Sequence, residues 1–307
     1  RDFVRASFAG TVVTIGVFDG VHRGHAEVIR KLAGIKRSEG MSASVLLTFD
    51  RHPLAVTHPE MVPPLLTTLE EKLSLLEGMD VDCVVIERFS EDTAAVDYRS
   101  FIAETLVGSL GMRHLLVGYD FRLGKRREGS QERLIEEGRA HGFAVTVVPP
   151  FVLQGSVVSS TKIRRDVVER RFDHAERCLG RPYFFDAEVV RGEGIGARIG
   201  FPTANVEVRE EGKLLPPGGV YAVEVEAGGE RRGGMMNVGS APTLHADGRR
   251  HIEVHLFEFT REIYGERVRV HCLGYLRPER RFESAGDLRA QLMHDRETAY
   301  AVLEKKH

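Results

Sequence analysis

The sequence predicts two unlike domains in one chain: an α/β domain on a parallel sheet, then a small antiparallel barrel or sandwich closed by a helix. Three observations carry this. At 307 residues the chain is roughly twice a typical single domain. Its first half alternates strand-like and helix-like segments, the signature of a parallel sheet covered on both faces. Around Cys178-Leu-Gly-Arg-Pro182 that rhythm gives way to consecutive short strands punctuated by Gly and Pro.

In order, Thr11–Ile15, Ala43–Phe49, Cys83–Ile86, His114–Val117 and Ala144–Val148 are apolar or β-branched runs of strand length. Between them His25–Lys36, Leu69–Gly78, Tyr98–Leu110 and Gln131–Gly142 carry helical periodicity. Past the change of rhythm, Phe184–Val190, Val220–Glu226, Arg232–Val238, Ile252–Phe259 and Arg267–Leu273 alternate like strands. Ser284–Lys305 closes the chain as a helix with Leu288, Leu292 and Leu303 among its apolar positions. The seam is expected near Gly180, giving domains 1–180 and 181–307.

Composition excludes several classes. Hydrophobic residues at 42% are too many for wholesale disorder, and a net charge of -2 gives no polyanion-binding surface, so nucleic acid is not an expected partner. Apolar runs such as Val45–Leu47 fall far short of the ~20 residues of a membrane span. The opening Arg1-Asp-Phe-Val-Arg-Ala-Ser7 has no apolar signal-peptide core. Cys83, Cys178 and Cys272 are scattered and form no C-x-x-C pair, which reads as buried thiols in a reducing cytoplasm. Composition leaves oligomeric state open.

The strongest motif is Gly16-Val-Phe-Asp-Gly-Val-His-Arg-Gly-His25, between the first strand and the first helix. Gly16, Gly20 and Gly24 would let backbone approach a bulky polyanion at a helix N-terminus. His22 and His25 share a helical face, beside Phe18 and Asp19, where two imidazoles could stabilise charge building on phosphorus. Taken alone, such a turn can also serve packing only. Val158-Ser-Ser-Thr-Lys-Ile-Arg164 sets hydroxyls and a cation at a helix start; Ser159 or Ser160 as an N-cap is the plain alternative to a phosphate clamp. Arg165, Arg170 and Arg171 read as a solvated helix face. Gly118-Tyr-Asp-Phe-Arg-Leu-Gly-Lys125 is no P-loop, because five residues separate its glycines and Arg126 stands where Ser or Thr must be. Its place after a strand makes Asp120 and Lys125 the polar reach of a ligand-binding edge.

In the second half Gly192-Glu-Gly-Ile-Gly-Ala197 matches a dinucleotide-binding string but precedes no helix, so that reading fails. Gly200-Phe-Pro-Thr-Ala-Asn205 puts Thr203 and Asn205 on one face of an extended segment, two neutral oxygens of the kind magnesium takes beside substrate phosphates. A turn is the ordinary alternative. On His251-Ile-Glu-Val-His-Leu256, Glu253 and His255 point away from Ile252, Val254 and Leu256. Glu253 is the carboxylate that could accept a proton from an alcohol, against the plain reading of a solvent-facing charge.

Together the Gly16–His25, Gly118–Lys125 and Ser159–Arg164 motifs resemble the adenylyltransferase module of bifunctional riboflavin kinase/FAD synthetases, which are HxGH nucleotidyltransferases. The resemblance implies a Rossmann-like domain with a parallel sheet and helices on both faces. It implies ATP phosphates on His22, His25, Ser160, Thr161 and Arg164, with Phe49, His52 and Asp120 lining the nucleotide or flavin site. Val17, Arg51 and Leu123 depart from the Asn, Pro and Phe common in that family. Gly200–Asn205, Leu215–Tyr221, Asn237–Thr243, Ile263–Gly265 and Tyr275–Glu279 resemble the family's riboflavin kinase module in order and spacing. That implies a six-stranded antiparallel β-barrel with a C-terminal helix, Mg2+ on Thr203 and Asn205, and Glu253 as catalytic base. Ala197 stands where many relatives carry a basic residue. ATP, riboflavin and FMN are the implied small-molecule substrates, with FMN and FAD as products rather than prosthetic groups.

Overall fold

The computed structural model describes residues 9–124, 128–192, 196, 200–239 and 251–306. Lys125, Ala197 and residues 240–243 of the Asn237–Thr243 motif therefore lie outside the described residues. Contacts divide the chain into two compact units, Arg1–Pro63 with Leu69–Ser159, and Pro64–Thr68 with Ser160–His307.

The first unit runs β1 (Thr11–Ile15), α1 (Arg23–Glu39), β2 (Ser44–Phe49), α2 (Leu54–Thr57), α3 (Leu69–Glu77), β3 (Cys83–Glu87), α4 (Glu91–Ala95), α5 (Tyr98–Ser100), β4 (Met112–Gly118), α6 (Gln131–His141), β5 (Ala144–Val148) and a hairpin, β6 (Val152–Leu153) with β7 (Ser156–Val157). The five strands β1–β5 lie parallel in the order β3-β2-β1-β4-β5. Alternate residues of β1 serve opposite faces, as a doubly covered sheet requires. Val13 and Ile15 join Ile102, Leu106 and Leu134 on one side, while Val12 packs with Leu32 and Leu116 on the other. Ile29, Leu32 and Ala33 form the buried row of α1, which ends at Gly40 in the left-handed region. The segment expected as one helix over Tyr98–Leu110 is α-helical only through α5 and continues as a wider π-type turn, Phe101–Ser109, with bonds such as Leu110 N–H to Thr105 O. The strand order reverses between β1 and β4, and ligands of such sheets bind there, beyond the carboxyl ends.

The second unit begins with α7 (Ser160–Val168) and α8 (Phe172–Leu179). A closed antiparallel barrel of six strands follows: β8 (Tyr183–Val190), β9 (Ala204–Glu207), β10 (Gly219–Ala227), β11 (Glu230–Val238), β12 (Ile252–Leu256) and β13 (Arg267–Arg277), in the order β10-β11-β12-β9-β8-β13. Closure removes the exposed edges that a short sheet would otherwise present. The last helix, α9 (Ala285–Glu304), packs Ala299 and Leu303 onto Phe201, Ala222, Met235 and Leu273. Arg277 of β13 makes a bidentate pair with buried Asp295 of α9, at 2.8 and 2.7 Å.

Residues 64–68, which lie in the chain between α2 and α3, belong to this second unit. Leu65 pairs with the segment before β10: its N–H donates to Gly212 O at 2.7 Å and its carbonyl accepts from Leu214 N–H at 2.8 Å. Buried Lys213 donates to Leu66 O at 2.7 Å and Phe184 O at 2.9 Å. The reading of the arginines as a solvated face is corrected at Arg170. Arg170 donates to Gly218 O and lies over the Tyr275 ring, and Arg171 donates twice to buried Asp166. Arg165, paired with Glu169, and Arg171 keep to the surface as expected. Asp166 also accepts from His174 Nδ1 at 2.6 Å, and Cys178 lies beside them. These three are metal-ligand types, but the Arg171 guanidinium already supplies the cation their carboxylate needs.

Candidate active sites

In the first unit the Gly16–His25 turn connects β1 to α1 at the switch point. Phe18 (φ 51°) and Val21 (φ 38°) adopt the left-handed backbone that Cβ-bearing residues avoid, and Gly20 (φ 83°) lies between them. Such strain collects where a backbone shape is needed for function. Asp19 and His22 are buried within it. His22 is the N-cap of α1, and its Nδ1 accepts the His25 N–H at 3.3 Å. A ring nitrogen that accepts carries no proton, so in the neutral ring Nε2 is the donor. The two imidazoles stack at 3.6 Å between centroids, 14° from parallel, and Phe18 meets His25 edge-on at 5.1 Å. A Cβ at Gly24 would stand 3.1 Å from the His22 ring, so a side chain there would press on the stack. No acidic residue occupies the first turn of α1, so that turn itself sets no carboxylate against the positive end of the helix dipole.

The other expected positions of this unit end the neighbouring strands. Phe49 is the last residue of β2 and packs edge-on against Phe89. His52 Nδ1 accepts the Leu54 N–H as α2 begins. Asp120 is exposed just past β4. All three lie at or just past carboxyl ends of strands, on the edge of the sheet where the β1–α1 turn lies. Ser160, Thr161 and Arg164 are on α7 and belong to the second unit, where Arg164 Nε donates to Pro64 O at 2.7 Å.

Sequence reasoning missed Lys72. This lysine of α3 is buried, and its Nζ donates to Thr48 Oγ1 at 2.9 Å, Val17 O at 3.2 Å and Phe49 O at 3.2 Å. Burial pushes its pKa down to about 8, against the fields of Asp19 and Asp50. A signal existed: Leu69, Lys72 and Leu76 follow the i, i+3, i+7 spacing of the apolar face.

In the barrel, Glu253 of β12 faces Asn205 of β9 on one side and Asn237 of β11 on the other. Directly paired residues share a face, so the carboxylate stands in a row between two amides. Thr203 enters the same face two residues before Asn205. A cavity of about 260 Å³ opens here, lined by polar Thr203, Asn237 and Glu253 and by apolar Phe201, Met235 and Leu292 among others. Glu253 is half-buried and lies 3.1 Å from His251 Nε2, a neighbour not anticipated from the sequence. His255 donates through Nδ1 to Pro202 O at 2.7 Å, bracing the residue before Thr203. Gly192 and Gly196, from the string rejected as a dinucleotide motif, cradle the two oxygen donors. A Cβ at Gly192 would lie 1.7 Å from Asn205 Nδ2, and one at Gly196 3.2 Å from Thr203 Oγ1. A hydroxyl and an amide oxygen beside a carboxylate form a hard-oxygen set that suits magnesium better than a softer metal.

Fold and sites together define a two-unit protein with a phosphate-type turn on a parallel sheet and an oxygen-donor row in a barrel. Family models for FAD synthetase (residues 4–162) and riboflavin kinase (residues 179–303) match the chain in that order. The bifunctional riboflavin kinase/FMN adenylyltransferase of Escherichia coli K12 is 39% identical over 94% of this chain and 92% of its own length. The Bacillus subtilis protein of the same name is 33% identical over 96% and 93%. The chain belongs to the bifunctional riboflavin kinase/FMN adenylyltransferase family. A crystal structure described as a macrolide-efflux protein from Streptococcus pneumoniae superposes with a TM-score of 0.86 at 29% identity, covering 95% of this chain and 94% of that one. In this chain no helix among the described residues is long and apolar enough to cross a membrane.

Proposed function

We propose that this chain makes flavin cofactors in two steps in the cytoplasm, with riboflavin phosphorylation in residues 181–307 and FMN adenylylation in residues 1–180. The observation that carries the kinase reading is the Asn205–Glu253–Asn237 row, of which Glu253 and Asn237 line a partly apolar cavity. Glu253 orients the riboflavin 5'-hydroxyl and takes its proton as the oxygen attacks the γ-phosphorus of ATP. The bond to the β-phosphate oxygen breaks, giving FMN and ADP. Thr203 and Asn205 would hold Mg2+, which when bound neutralises phosphate charge. Apolar Phe201, Met235 and Leu292 suit the flavin ring.

In the other unit, an FMN phosphate oxygen attacks the α-phosphorus of a second ATP and pyrophosphate leaves. His22 and His25 stabilise the charge that builds on the phosphate oxygens. Gly16, Gly20 and Gly24, with Phe18 and Asp19, shape the turn so that backbone N–H groups reach the same phosphates. Phe49, His52 and Asp120 line the nucleotide or flavin, while the hydroxyls of Ser160 and Thr161 and the guanidinium of Arg164 on α7 suit phosphate. Neither step forms a covalent enzyme intermediate, so positioning and charge neutralisation do the catalytic work.

The test is chromatography of riboflavin incubated with ATP and Mg2+. FMN followed by FAD is the expected course. FMN alone would remove the adenylylation half, and unchanged riboflavin would make the chain a flavin binder.

A further inference from the structure

The mechanism above leaves unused one buried cation of the first unit. An amine taken out of water is costly unless every proton finds an acceptor. Lys72 meets that condition: its three N–H groups have three acceptors, Val17 O, Thr48 Oγ1 and Phe49 O. The Val17 carbonyl also accepts from Thr48 Oγ1 at 3.2 Å. Two donors therefore fix the peptide that leads directly into Phe18, the first strained residue of the turn. Phe49, on the other arm of the clamp, is the last residue of β2. The ammonium thus ties the β1–α1 turn to the end of the neighbouring strand, on the edge where His22 and His25 sit.

We propose that Lys72 is a positioning residue for adenylyl transfer, its ammonium holding the Val17–Asp19 backbone in the shape that presents His22 and His25 to ATP. The inference rests on the reading of the first unit as the FMN adenylylation site. Its distinctive consequence is that the clamp depends on charge state. A neutral amine has two hydrogens for three acceptors, so one bond is lost when the proton leaves. Asp19 on the turn and Asp50 beyond β2 are the charged groups whose fields favour the ammonium, and burial on α3 opposes them. Glu87 of β3 shares the field of Asp50, and burial holds its carboxyl above the usual range. The ammonium is complete below pH about 8 and is lost as pH rises through that value.

The experiment follows FAD formation from FMN and ATP between about pH 6.5 and 9.5, with FMN formation from riboflavin in the same samples as the internal control. In the wild-type protein FAD formation should fall on an alkaline limb near pH 8 that FMN formation lacks. Lys72→Met should lower FAD formation about tenfold or more, without that limb, and leave FMN formation unchanged. Lys72→Arg, which keeps a charge at every pH tested, should retain FAD formation and move the limb upward. FAD formation by Lys72→Met within about twofold of wild type, or the same limb in Lys72→Arg, would overturn the proposal. Should Lys72→Met leave the first unit unfolded, as loss of its urea unfolding transition would reveal, the Lys72→Arg profile decides alone. A wild-type protein that makes no FAD from FMN sinks the underlying reading, and this inference with it.

Discussion

Gly192 lies so close to Asn205 that a methyl group on its backbone would stand 1.7 Å from the Asn205 amide nitrogen. The Asn205 side chain must shift to relieve that contact, and a shift moves it within the row it shares with Glu253. Gly192→Ala should therefore lower riboflavin phosphorylation by about 100-fold or more, the usual cost of a misplacement near 1 Å. FAD formation from supplied FMN should be untouched. Parallel assays of the two half-reactions on one preparation check this, and a variant with normal kinase activity would show that Asn205 has no role there.

The two catalytic proposals separate in the same assays. Glu253→Ala should stop FMN formation while FAD still forms from FMN. His25→Ala should lower FAD formation by about 100- to 1,000-fold with riboflavin phosphorylation intact, the range seen when one transition-state donor is removed. Joint loss of both activities in either variant would count against two independent sites.

Lys213→Met should destabilise the second unit. Its ammonium satisfies the carbonyls of Leu66 and Phe184 inside the protein. Two buried acceptors left without this donor cost about 2–5 kcal/mol together. Urea unfolding followed by near-ultraviolet ellipticity reports the loss, and an unchanged midpoint would mean that water replaces the lysine.

Asp82 gives the first unit an acid-sensitive joint. Partial burial works against its ionisation, but the Lys36 ammonium and the Ser44 hydroxyl and N–H overcome it and hold the carboxyl at about 2. The contacts are short, 2.6 Å to Lys36 and 2.7 Å to each Ser44 donor. A carboxyl depressed in the folded state adds stability above its unfolded value near 4, and that stability drains away as pH falls from about 4 to 2. Asp82→Asn should thus unfold at lower urea than wild type at pH 7, with the two midpoints converging as pH drops through this window.

Much of the architecture was legible because it rests on periodicity. The five runs of the first half became β1 to β5, and Ile252, Val254 and Leu256 point inward as alternation requires. The place of the imidazole turn was legible because a glycine-rich connection from the first strand to the first helix falls at the carboxyl end of a parallel sheet. What escaped notice depended on three-dimensional neighbours. Lys72 reads as one more helix charge until its acceptors are seen on β2 and the turn. Gly192 and Gly196 resemble a failed nucleotide string, since nothing local says that their missing side chains make room for Asn205 and Thr203. Arg170 lost its solvated role to a carbonyl and a ring far along the chain.

The segment at 64–68 separates chain order from assembly order. Its five residues leave the ribosome long before Gly212, Lys213 and Leu214, the partners that will hydrogen-bond to them. Domains made by the ribosome ordinarily fold from the N-terminus onward. The hydrogen bonds of Leu65 and Leu66 to Gly212, Leu214 and Lys213 can therefore form only once most of the chain has been made. The six barrel strands come from consecutive sequence, but the strap that pairs with Gly212 and Leu214 is made more than a hundred residues ahead of them.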